Sequence, residues 1–164
     1  MPTIKHTFIV FISLFIVSTN SFADDSSDEK FTYNIGIGSY IHFNPNDDHT
    51  NRPIITTFEL HKSNDWFYGI SLFNNSFDQF SQYVYVGKTF KSERESLQNW
   101  HFKISGGLIY GYKDEYQDKI PLNGLGIAPG ILPSVGYKRA DSRWGVDLSL
   151  LGAAGLALTV NFDL

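Results

Sequence analysis

Apolar and polar residues alternate along almost the whole chain from residue 31 onward. Over residues 31–43, Tyr33, Ile35, Ile37, Ile41 and Phe43 share odd positions with Ser39. Thr32, Asn34, Gly36, Gly38, Tyr40 and His42 take the even ones. One face is therefore almost wholly apolar and the other polar or empty, which is the period of a β-strand. The run exceeds the usual soluble strand of about 5–6 residues and reaches the roughly 9–11 that a membrane-crossing strand needs.

The same period returns in residues 54–62, 66–77, 81–90, 100–112, 143–150 and 156–164, separated by turn-forming or charged connections such as NPNDDHTNRP and KSERESLQN. Residues 119–137 are Gly-rich and apolar, with Pro121, Pro129 and Pro133 interrupting the pattern. This predicts eight strands, no substantial helix, and an all-β fold. An eight-stranded antiparallel transmembrane β-barrel over residues 31–164 fits the even count and the apolar last strand. A soluble lipocalin-like barrel alternates in the same way, so the polar set decides. His42, Glu59, His61, His101, Lys103 and Asp147 lie opposite the aliphatic stripes and are assigned to the lumen. Aromatic residues near strand ends (Tyr33, Phe43, Trp66, Phe67, Trp100, Tyr112, Trp144, Phe162) are assigned to the two interfacial girdles.

Composition sharpens this picture in three places. Lys5 and His6 precede the apolar run 8–18, and Ser21-Phe22-Ala23 has the small-x-small cleavage pattern, so residues 1–23 are expected to be a signal peptide. Residues 24–30 then form a flexible polar leader, and the mature chain is expected in the outer membrane of a Gram-negative cell. The net charge of −4 comes without a basic patch, which excludes nucleic acid as a partner. The chain has no cysteine, so disulfides and thiolate chemistry are excluded. No defensible zinc spacing links His42, His49, His61 and His101, so neither metal nor cofactor is expected.

Two features carry candidate chemistry. His42 falls on the inward face at the end of the first strand, and Ser76 lies in the connection after the third. If the barrel joins those ends, they make a general base and a hydroxyl suited to acyl transfer; a polar lumen-lining role for His42 is the alternative. Pro129 and Pro133 cannot donate to a strand ladder, so they are expected to leave either a gap in the wall or a bend at the rim.

With these residues laid out, the chain resembles the lipid A palmitoyltransferase family (PagP). GSYIHF (38–43) is similar to that family's His-bearing strand end, with His42 in the catalytic place. LFNNSF (72–77) is similar to its F-x-D-S-W segment, with Ser76 as the serine. Gly87 falls where the family has the glycine at the floor of its acyl-length ruler. Residues 119–137 resemble its I-P-L-P…L-P…SVGY segment, in which prolines accompany lateral lipid access. The resemblance implies a monomeric enzyme that moves a palmitoyl chain from a phospholipid donor to lipid A. It assigns catalysis to His42, Asn75 and Ser76, acyl-length selection to Gly87, and lateral access to Pro129 and Pro133. Two departures stand out: Asn75 replaces the family's Asp, and the family's N-terminal amphipathic helix is missing. Without a carboxylate before the serine, Asn75 is left an orienting or oxyanion-donor role. The competing expectation is a non-enzymatic barrel in the OmpX manner, with a structural or surface-interaction role.

Overall fold

The computed structural model describes residues 30–45 and 53–164. The expected signal peptide, all of the leader but Lys30, and residues 46–52 of the first loop lie outside the described residues.

Eight strands follow one another in chain order: β1 (Phe31–His42), β2 (Ile55–Lys62), β3 (Trp66–Asn74), β4 (Phe80–Lys91), β5 (Trp100–Tyr110), β6 (Ile127–Tyr137), β7 (Trp144–Leu150) and β8 (Gly155–Asp163). Each pairs antiparallel with the next, and β1 closes on β8 from Asn34↔Asp163 to His42↔Gly155. The expected closed barrel is therefore present, with the first strand between the second and the last. Two short 3-10 turns, Glu95–Leu97 and Asp114–Lys119, are the only helical segments among the described residues.

The alternation read from the sequence resolves into an apolar outside and a mixed inside. Ile37, Ile41, Val84, Leu108, Ile131 and Leu158 all point outward and are more than half exposed. Such an exterior is unfavourable in water and suited to hydrocarbon. Trp66, Trp100, Trp144, Tyr33 and Phe162 are also exposed, as girdle residues should be. Phe67 corrects the expected girdle. It is 1 % exposed and points into the lumen, because β3 places it one residue out of phase with Trp66.

An eight-stranded barrel has room inside for little more than side chains or one small ligand. Here the filling comes in layers. Towards the His42 end, Tyr40, Ile55 and Ala157 pack with Phe73 and Leu151. Next come Phe67, Tyr83 and Tyr85, packed against Phe73, Ile109 and Leu132. Below them lies a charged layer. Lys103 Nζ donates to Glu59 Oε2 at 2.7 Å and to Asp147 Oδ2 at 3.2 Å, while Asn161 Nδ2 donates to that same Asp147 oxygen at 3.0 Å.

Among the described residues, most ladders run nearly the full strand length, but residues 39–42 of β1 have no β2 partner and β6 has a longer unpaired edge. β6 pairs with β5 along its whole length, through both prolines. With β7 it pairs only over residues 134–137. In register, Pro133 would next face Leu150, and a residue without an N–H cannot extend the ladder there. The stretch 127–133 thus has a free edge toward β7, and Pro129 lies within it. The unbroken β5 ladder requires the proline nitrogens to turn to that free edge. Pairing with β7 is thus missing over the stretch that holds both prolines.

Removing one member of a buried charge cluster strands the others. Lys103→Met is expected to lower stability by about 3–5 kcal/mol, read from equilibrium unfolding of the refolded barrel in detergent. A triple Glu59→Gln, Lys103→Met, Asp147→Asn variant should recover most of that loss.

Candidate active site

His42 is the last residue of β1, and strand parity aims its ring into the lumen. Ser76 reaches the same rim from the β3–β4 turn, whose conformation is set by Asn75. Asn75 Oδ1 accepts from the amides of Phe77 (2.9 Å) and Gln79 (3.1 Å). Its Nδ2 donates to the Gly111 carbonyl at 3.3 Å and to Gln79 Oε1 at 3.4 Å. Asp78 takes the left-handed backbone region (φ 58°), which Asp tolerates better than most residues. Its carboxylate accepts from Asn74 Nδ2 at 2.8 Å. Asn75 and Asp78 are thus both committed to holding the turn.

The result is a short contact: His42 Nε2 lies 2.6 Å from Ser76 Oγ. The phenols of Tyr40 and Tyr112 lie beside Ser76, and Tyr40 donates to the Asn74 carbonyl at 3.0 Å. The Tyr40 ring meets the imidazole edge-on, with centroids 5.3 Å apart. Burial pushes the Tyr112 phenol above its usual range, so it stays protonated and able to donate. Neither tyrosine was legible as a site residue in the sequence. Tyr112 read as a girdle aromatic, and nothing local ties either ring to Ser76.

Beneath this rim lies a cavity of about 640 Å³, inside the range of small-ligand pockets. Tyr40, Ile55, Phe73, Tyr83 and Leu132 supply apolar walls. Pro129 and Ile131 also line it, so the cavity reaches the unpaired edge of β6.

Gly87 does not line the cavity directly. It sits opposite Phe67 in the β3–β4 register, and a side chain on it would strike the Phe67 ring and the Ile104 carbonyl. The missing side chain makes room for Phe67, whose ring lines the lower part of the cavity above the Lys103 layer. The ring is held from below, with Lys103 Nζ 4.6 Å from its centroid and the His61 ring stacked at 5.3 Å. Of the six candidate residues, His42, Ser76 and Pro129 meet at the cavity and Asn75 lies just behind Ser76. Gly87 packs behind Phe67, and Pro133 stands where pairing with β7 ends.

The chain matches no family model and no curated protein. Among solved structures, a de novo designed transmembrane β-barrel superposes with a TM-score of 0.50 at 11 % identity, covering 87 % of this chain and 100 % of its own. The fold is that of a transmembrane β-barrel. At that identity the likeness concerns the fold alone. The outer-membrane protein Ail of Yersinia pestis (TM-score 0.45, 14 % identity, 82 % of this chain and all of that one) is also similar. So is a protein of unknown function from Clostridium acetobutylicum (TM-score 0.21, 11 % identity, 85 % and 100 % covered).

Because the Asn75 amide uses both ends, its replacements separate by end. Asn75→Asp keeps the acceptor but turns an oxygen toward the Gly111 carbonyl, whereas Asn75→Ala loses both ends. Asn75→Ala is expected to cost about 1–3 kcal/mol and Asn75→Asp a similar amount or less. Thermal unfolding of the refolded proteins reads both.

Proposed function

We propose that this chain is an outer-membrane acyltransferase. It moves a palmitoyl or similar chain from a phospholipid to lipid A, acting as a monomer after export directed by residues 1–23. The observation that carries the reading is the 2.6 Å contact between His42 Nε2 and Ser76 Oγ at the mouth of an apolar cavity. The site lies at the end that bears the longer connections, 43–54 and 111–126. Outer-membrane barrels turn their longer loops outward, the side on which lipid A resides.

The chemistry follows from the pair. His42 Nε2 takes the hydroxyl proton as Ser76 Oγ attacks the ester carbonyl of the phospholipid. Collapse of the tetrahedral intermediate breaks the ester C–O bond, and His42 returns the proton to the departing lysophospholipid. A lipid A hydroxyl then loses its proton to His42, attacks the acyl group and regenerates Ser76. The Tyr112 phenol, held protonated by burial, is a donor available to the developing oxyanion. The acyl chain enters through the unpaired edge of β6 beside Pro129 and Pro133, and its tip rests on Phe67 above Gly87.

A non-enzymatic barrel in the OmpX manner is the second reading. One observation favours it: the residue before Ser76 is an amide spent on the turn, not a carboxylate beside the histidine.

Mass spectrometry of lipid A from cells with and without the chain tests the proposal. A species heavier by one acyl chain is expected, reduced about 10²–10⁴-fold by His42→Ala or Ser76→Ala with the barrel still folded. Unchanged modification by both variants would overturn it. Gly87→Met should push Phe67 upward and shorten the transferred chain, whereas Phe67→Ala should admit longer ones. An unchanged chain-length profile in both would remove the ruler.

A further inference from the structure

The lumen holds two chambers. One is the cavity below His42. The other, about 600 Å³, opens at the opposite end and takes in His61 and His101. Four residues line both: Glu59, Lys103, Asp147 and Asn161. A single layer of polar side chains therefore separates them.

That layer is tied together by one ammonium group. Lys103 comes from β5, Glu59 from β2 and Asp147 from β7, so the three meet from different sides of the barrel. His61 Nε2 lies 2.8 Å from Glu59 Oε2, and His101 Nε2 lies 2.8 Å from Asp147 Oδ1, both on the side of the second chamber. An ion-pair layer seals only while its pairs hold, because each charge released by a break draws water to itself.

We propose that this layer gates an ion path through the barrel, with Lys103 as the latch and small inorganic ions as the permeant class. When the ammonium leaves its carboxylates, the constriction is a ring segment of negative charge joining the two chambers, which selects cations. The proposal is independent of the acyltransferase reading, since it uses neither His42 nor Ser76.

The test is conductance of the refolded full chain in planar lipid bilayers, with potassium chloride gradients reporting selectivity. Only heat-modifiable, folded protein is reconstituted. Lys103→Ala is expected to raise mean conductance over the parent by about tenfold or more and to favour potassium. Glu59→Ala with Asp147→Ala leaves one ammonium, so it should raise conductance comparably but favour chloride. The opposite charge removals keep the test decisive if one variant fails to fold. Conductance at the parent level in the folded charge variants, or the same selectivity sign in both, would overturn the proposal.

Discussion

A strand wall in hydrocarbon has no water to satisfy a backbone N–H or C=O, so each must find a partner within the wall. That constraint sets most of what is seen here. It forces β1 to meet β8, fixes the register of every ladder, and turns apolar positions outward on all eight strands. It also gives meaning to the long unpaired edge of β6. Residues 127–133 lack a β7 partner, and the prolines there are residues with no donor to satisfy. The break in the wall opens onto the cavity under His42 and Ser76.

Closure has a second consequence. Forcing the inward residues of eight strands into a narrow lumen brings together groups far apart in sequence. Lys103 meets Glu59 and Asp147, and Phe67 lies on the ammonium of Lys103 with its ring over Gly87. The aromatic residues above this charge layer give the cavity under the rim its apolar walls. The His42 end is thus suited to a hydrocarbon chain, and the opposite end to water and ions.

The strands were legible because lipid outside and a packed lumen inside enforce strict period two, so the sequence carries each strand as a stripe. His42 and Ser76 were legible as a pair only because parity and strand count put both at one end; the 2.6 Å contact depends on a turn folded around Asn75. That turn was not legible, since the Asn75 amide is anchored to Gly111 on a separate connection. Nor was the role of Phe67. Its placement rests on the cross-strand register Phe67↔Gly87, which no spacing along one strand reveals. Residues 119–137 read as an irregular segment, because their prolines hide a strand whose β5 side is fully paired.

Acyl transfer by the purified chain is the most direct test of the His42–Ser76 site. The refolded barrel in detergent micelles would be given lipid A and a phospholipid carrying an isotopic label in one acyl chain. The account predicts label on lipid A and an equal amount of lysophospholipid, with both lost in Ser76→Ala and in His42→Ala. A folded parent barrel that releases no lysophospholipid and leaves lipid A unlabelled would contradict it.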